Sequence, residues 1–184
     1  MKRTTQWLAM LVTGSLGFAL AGCGTRDTAG TSLLGRGIVA INELQPSNQD
    51  VIVDEFDEAD DWVEIYNPGS DDVDLEGYFV SDDRNEPTKF QLTDEATVPA
   101  GEFLLLWADN TPEQGPLHLS FGLSASKGES FVLTSPDGQL VDAVDFGVPD
   151  GEQSFARFPD GTGDFAWCSE PTPDAPNGDA CGEP

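Results

Sequence analysis

The sequence predicts an all-β domain, an antiparallel β-sandwich of about seven to nine short strands. Three observations carry this prediction. No window of the chain keeps a helical period for three turns. Strand-length runs rich in Val, Ile, Phe, Tyr and Trp recur from Ile38 onward. The 20 glycines and 13 prolines supply turn residues between these runs.

Residues 1–22 are predicted to be a lipoprotein signal peptide. Two basic residues near the start precede an apolar stretch, residues 7–20, of the length expected for an exported chain. The stretch is too short and too rich in Gly, Ser and Thr to indicate a membrane-spanning helix. The tetrapeptide LAGC, ending at Cys23, resembles the bacterial lipobox, in which the cysteine is lipidated. The alternative is an ordinary secretory signal followed by a chance cysteine.

Residues 23–36 are expected to form a flexible polar tether that links lipidated Cys23 to the domain. Gly24, rather than Asp, follows the cysteine, which in well-studied Gram-negative bacteria favours the outer membrane over the inner one. The predicted location is therefore the cell envelope, with the chain held by its lipid at the outer membrane of a Gram-negative bacterium. Several buried acyl chains outweigh the repulsion between an acidic body and anionic lipids.

The charge balance excludes one class of partner. The chain carries 8 basic and 34 acidic residues, a formal net charge of -26. Such a surface repels the phosphates of nucleic acids, so no nucleic-acid binding is expected. An acidic surface also serves solubility, so charge alone does not indicate that the chain binds a cation.

The body of the domain, residues 37–177, contains seven runs that are predicted to be strands. The Asp137-Gly138 pair between two of these runs is typical of a hairpin turn. In chain order the runs are IVAINEL, DWVEIYN, VDLEGYFVS, EFLLLWAD, SFVLTS, LVDAVDF and QSFARFP.

The run DWVEIYN is predicted to be an interior strand. A period of two places Trp62, Glu64 and Tyr66 on one face, and Val63 and Ile65 on the other. Neither face is purely polar, so both are expected to be at least partly covered. A glutamate in the middle of such a strand needs a backbone amide, a base or a metal as its partner.

These runs, in this order, resemble the lamin tail domain family, in its bacterial secreted and lipoprotein branch. The resemblance extends from Ile38 to Asn177 and rests on blocks such as IVAINELQPSN, DWVEIYNPGSDDVDLEGYFVSDD and VPAGEFLLLWAD. It implies an immunoglobulin-like sandwich. It also implies a non-catalytic binding or tethering module rather than an enzyme.

The C-terminal tail, residues 178–184, carries Cys181. In an exported protein Cys181 and Cys168 are expected to form a disulfide across a Pro-rich loop. The alternative is that the two cysteines bind a metal. The other ligands for such a site are missing, because the third cysteine, Cys23, is assigned to the lipid and the chain has a single histidine, His118.

Calcium is the principal cofactor hypothesis. The segment 48–64 is rich in carboxylates, which are the oxygen ligands that calcium prefers, but it lacks the EF-hand pattern. The alternatives are a loop whose acids face water and, for the two strand glutamates, hydrogen bonds to backbone. A second candidate region contains Asp82 and Asp83. The predicted calcium ligands are Asp54, Glu55, Asp57, Asp61, Glu64 and Glu43.

Catalysis is not expected. The chain has no G-x-S-x-G motif, and His118 lies among apolar residues, where a structural role is predicted. A hydrolase that uses paired carboxylates is the weakest alternative. The expected function is adhesion, tethering or protein–protein interaction at the envelope. The partner, beyond the membrane itself, is an unknown envelope or extracellular protein or a glycan.

Overall fold

The computed structural model describes residues 39–178 and residue 181, so the predicted signal peptide and the whole predicted tether, with Cys23, lie outside the described residues. Within this range no helix is long and apolar enough to cross a membrane. The strands are β1 (Ala40–Gln45), β2 (Trp62–Tyr66), β3 (Val73–Asp74), β4 (Phe79–Ser81), β5 (Phe90–Gln91), β6 (Thr97–Val98), β7 (Phe103–Trp107), β8 (Glu129–Thr134), β9 (Leu140–Phe146), β10 (Ser154–Phe158) and β11 (Asp164–Cys168).

The strands form an antiparallel β-sandwich, which confirms the predicted fold class. One sheet has five strands in the order β11-β10-β1-β2-β7, and the other has four in the order β5-β4-β8-β9. Strands β3 and β6 form a third, two-stranded sheet. The described residues form eleven strands rather than seven to nine, because the sequence pattern does not reveal strands of two residues.

Two further differences from the prediction have local causes. The run VDLEGYFVS is divided into β3 and β4, because Gly77 adopts a φ of 82° that turns the chain. The short strand β11 was not predicted, since it lies between a Gly-rich turn and a Pro-rich segment. It pairs along β10, with Phe155 opposite Trp167.

The core lies between the two large sheets. Ile65 and Leu106 enter it from the five-stranded sheet, and Phe131, Leu133 and Val144 enter it from the four-stranded sheet. Each of these five side chains is at most 4% exposed. Burial of one such side chain stabilises the fold by about 1.5–3 kcal/mol, so this interface supplies the main driving force for the sandwich.

Strand β2 is an interior strand, as predicted. It pairs with β1 on one side and with β7 on the other, and Trp62 lies opposite Trp107. Both of its faces are covered, because Trp62, Val63, Glu64 and Ile65 are all 0% exposed.

The predicted disulfide between Cys168 and Cys181 is confirmed. Cys168 ends β11, and the bond closes a loop with a sequence separation of 13. Residues 169–178, here called the C-terminal segment, lie within this loop. Closing a loop of this length contributes roughly 3 kcal/mol in the chain-entropy model.

Candidate functional site

The polar face of β1 and β2 carries two buried carboxylates, Glu43 and Glu64. The register of β1 shifts between Ile41 and Glu43, a β-bulge that places Glu43 opposite Glu64. Both glutamates are 0% exposed. A buried carboxylate is stable only when its oxygens accept hydrogen bonds.

The C-terminal segment supplies those hydrogen bonds. The backbone N–H of Asp174 donates to Glu64 Oε2 at 2.7 Å, and Asn42 Nδ2 donates to Glu64 Oε1 at 3.0 Å. The backbone N–H and the hydroxyl of Thr172 both donate to Glu43, at 3.1 and 3.0 Å. The two glutamates therefore hold the C-terminal segment against the sheet.

The environment of this pair changes its protonation. Burial is the main cause that raises the pKa of Glu64 to about 8; the hydrogen bond from Asn42 opposes this rise, and the neighbouring charge of Glu43 adds to it. Burial likewise raises the pKa of Glu43. The structure thus separates these two residues from the loop acids with which they were predicted to bind calcium. Glu43 and Glu64 instead accept hydrogen bonds from backbone N–H groups, which was the alternative to calcium binding.

Residues 48–61, here called the acid loop, are folded on internal hydrogen bonds. Asn48 Nδ2 donates to the carbonyls of Ile52 and Asp60 at 2.7 and 2.8 Å. Asp54 Oδ1 accepts from the backbone N–H of Phe56 and of Glu58, at 2.8 and 2.9 Å. The loop therefore has a defined conformation that orients its carboxylates.

The four predicted calcium ligands of the acid loop differ in their burial and in their hydrogen bonds. Asp54 is buried at 7% exposure, whereas the Glu55 side chain is 61% exposed. Asp57 is exposed, at a left-handed φ of 62°. Asp61 accepts from the backbone N–H of Asn48 at 3.3 Å, and burial raises its pKa to about 6. Of the four, only Asp54 and Glu55 belong to a group that could hold a metal ion among the described residues.

His118 completes that group, although the sequence indicated a structural role for it. One ligand atom each from Asp54, Glu55 and His118 lie within 4.8 Å of one another. His118 is 1% exposed, and its Nδ1 lies 2.5 Å from Asp109 Oδ2. Burial opposes protonation of the ring, but the hydrogen bond to Asp109 and the nearby Glu55 raise the pKa of His118 overall.

A second group, Asp54, Glu58 and Asp60, shares one residue with the first. Burial raises the pKa of Asp60, and the nearby charges of Asp109, Asp54 and Glu58 raise it further. Three buried atoms in this region, Asp54 Oδ2, Asp60 Oδ2 and His118 Nε2, have no hydrogen-bond partner within the described part of the chain. Unsatisfied buried polar atoms are costly, so their concentration here distinguishes the region from an ordinary surface loop.

The pairing of β2 with β7 brings these distant residues together. Because the strands are antiparallel and Trp62 lies opposite Trp107, the chain entering β2 meets the chain leaving β7. The N–H of Ala108 donates to the carbonyl of Asp61 at 2.7 Å, which fixes the two segments side by side. Sequence reasoning missed His118 and Asp109 because it did not establish that these two strands are neighbours.

In the second candidate calcium region, Asp82 and Asp83 contact residues that are close to them in sequence. Lys89 Nζ contacts Asp82 Oδ1 at 2.6 Å, and Asp83 Oδ1 accepts from the backbone N–H of Asn85 at 2.8 Å. Neither aspartate belongs to a possible metal-binding group of the described chain.

The raised pKa of Glu64 predicts a pH-dependent stability. A carboxyl group whose pKa rises from 4.5 to about 8 on folding binds more protons in the folded chain, so its contribution favours folding most at low pH. Stability is expected to fall as the pH rises between about 5 and 8. The variant Glu64→Gln cannot ionise at this position and should show a smaller fall, measured by thermal unfolding in the presence of a chelator.

The exposed Glu95 offers a matched control. Glu95→Gln removes one carboxylate from the surface and should keep the pH dependence of the parent chain. If Glu64→Gln and Glu95→Gln fall equally with pH, the burial of an ionisable Glu64 is not the source of the dependence.

Comparison with known proteins agrees with this architecture. The family model for the lamin tail domain matches residues 44–147, which include β1 to β9 apart from the first residues of β1, together with the acid loop and His118. No curated protein matches the chain. The lamin tail domain is an immunoglobulin-like, binding-type domain. The match covers more than half of the sequence, and the chain therefore belongs to the lamin tail domain family.

Proposed function

We propose that this protein is a lipid-anchored lamin tail domain protein of the bacterial cell envelope, acting in adhesion or tethering through protein–protein contacts. Two features support the proposal: the binding-type character of the family, and the lipobox that ends at Cys23. A lipid on Cys23 would hold the acidic domain at a membrane from which charge alone would repel it.

One observation carries the binding role: apolar side chains are exposed on the acid loop. Val51, Val53 and Phe56 are 36%, 47% and 50% exposed. Acidic residues flank them in the sequence, and of these acids Glu55 is largely exposed. Large apolar side chains that reach solvent within a charged rim are typical of protein interaction sites. The complementary surface on a partner would be an apolar patch with basic residues around it.

The anchor has a direct test. The variant Cys23→Ala removes the sulfur that would carry the lipid, so the protein should move from the membrane fraction to the soluble fraction of its own bacterium. Fractionation followed by immunoblotting measures this change. The Cys168→Ser/Cys181→Ser variant, which keeps Cys23, should remain with the membrane. A Cys23→Ala protein that still sediments with the membrane contradicts lipid anchoring.

The binding surface has a separate test. Val53→Ser/Phe56→Ser removes two apolar side chains from the acid loop and should reduce recovery of cross-linked envelope partners at least tenfold, because large apolar residues dominate most interface energies. Quantitative mass spectrometry of the cross-linked chain measures the recovery. The control is Leu140→Ser, since Leu140 is 58% exposed but lies on β9. Equal recovery with both variants would place the binding surface elsewhere.

A further inference from the structure

We infer that Asp54, Glu55 and His118 form a site for a divalent transition-metal ion of the zinc class, in which Asp109 orients His118. The three residues come from two segments that are far apart in sequence, and the β2–β7 pairing brings them together. One ligand atom from each lies within 4.8 Å of the other two.

The buried atoms of the group point to a ligand. His118 is 1% exposed and Asp54 is 7% exposed. His118 Nε2 and Asp54 Oδ2 have no hydrogen-bond partner among the described residues. Buried polar atoms without a partner are rare in folded proteins, and these two belong to the same group of possible ligands. A cation between them would satisfy both.

The spacing of two of the three ligands, His118 and Glu55, fits a tetrahedral ion. His118 Nε2 lies 3.4 Å from Glu55 Oε1, in a contact that is not aligned as a hydrogen bond. Zinc binds nitrogen and carboxylate oxygen at about 2.0–2.2 Å, so two ligands of one tetrahedral ion lie about 3.4 Å apart. Three protein ligands leave one position for water or for a group from a partner.

Asp109 supplies the support that metal-bound histidines require. Its Oδ2 lies 2.5 Å from His118 Nδ1, and its other oxygen, Oδ1, accepts from the backbone N–H of Thr111 at 2.9 Å. The side chain is 1% exposed, so it is held in place. A carboxylate that accepts from one ring nitrogen fixes the tautomer in which the other nitrogen carries a free lone pair. That other nitrogen is Nε2, which lies 3.4 Å from Glu55 Oε1.

The ligand chemistry favours zinc-class ions over calcium. Calcium takes six to eight oxygen ligands, whereas imidazole nitrogen suits zinc, copper, iron and nickel. The oxygen-only group of Asp54, Glu58 and Asp60 is the alternative for calcium, but Glu58 Oε2 already accepts from Gln114 Nε2 at 2.6 Å. A histidine as third ligand is thus the feature that separates the two hypotheses.

The test is calorimetric titration of the untagged full chain, purified in detergent and stripped of metal with a chelator, with zinc chloride. One zinc ion per chain is expected, and the ion should raise the melting temperature in step with its occupancy. Glu55→Gln and His118→Gln should each weaken zinc binding at least tenfold. Asp109→Asn should weaken it by about 10–100-fold, since it removes the support of a ligand rather than the ligand itself.

Asp57→Asn is the matched control. It removes one carboxylate from the same loop, and Asn tolerates the left-handed backbone of this position, yet Asp57 lies outside the metal-binding group. Zinc affinity should therefore stay within twofold of the parent chain. Because Glu55 is largely exposed, the comparison of Glu55→Gln with Asp57→Asn remains decisive even if His118→Gln does not fold.

Three results would overturn the inference. The first is the absence of stoichiometric zinc binding, as expected if a protonated His118 is itself the counterion of Asp109 and Glu55. The second is equal weakening by Glu55→Gln and Asp57→Asn, which indicates general attraction of cations by acids. The third is displacement of zinc by an equal concentration of calcium, which indicates an oxygen-only site.

Discussion

The fold depends on one constraint: β2 is buried on both faces and has a glutamate at its centre. Val63 and Ile65 belong to the core between the sheets, so Glu64 necessarily faces the opposite side. That side is also closed to solvent, which obliges the chain to bring hydrogen-bond donors to the carboxylate. The C-terminal segment supplies one donor to Glu64 through the N–H of Asp174, and it binds the neighbouring Glu43 through the N–H of Thr172. The disulfide closes the loop that contains both donors.

Strand β2 also makes buried hydrogen bonds at its first residue, where the acid loop ends. Its first residue, Trp62, is 0% exposed and donates through Nε1 to Gln45 Oε1 at 2.8 Å, and Gln45 Nε2 in turn donates to the carbonyl of Glu152. Just before Trp62, the carbonyl of Asp61 accepts from Ala108. The acid loop is therefore anchored where it enters β2. This explains how a loop with many like charges can hold a defined conformation.

The architecture separates the roles of the many acids. Glu43 and Glu64 attach the C-terminal segment, and Asp54, Glu55 and His118 converge at the inferred metal site. Phe56, one of the exposed apolar residues of the acid loop, lies next to that site, since the Phe56 and His118 rings are 6.0 Å apart between centroids. A metal ion that fixes the acid loop would also fix the surface that presents Phe56 to a partner. Binding of metal and binding of partner would then be thermodynamically coupled.

The sequence allowed the sandwich, the interior position of β2 and the disulfide to be predicted, because each depends on local pattern or on cysteine count. It did not show that β3 and β4 are separate, since one positive φ at Gly77 decides that point. Nor did it show that Glu43 and Glu64 bind the C-terminal segment, or that His118 lies beside Asp54 and Glu55. Those assignments depend on which strands are neighbours, and strand neighbourhood is a property of the whole topology rather than of any single run.

The central claim is that Glu64 holds the C-terminal segment against β2, and amide hydrogen exchange tests it most directly. The N–H of Asp174 donates to a buried carboxylate, so it should exchange far more slowly than an amide in an unstructured peptide. In a Glu64→Ala variant, its protection should fall to that of a loop amide while the core strands β8 and β9 stay protected. Rapid exchange of the Asp174 amide in the parent chain would contradict the account.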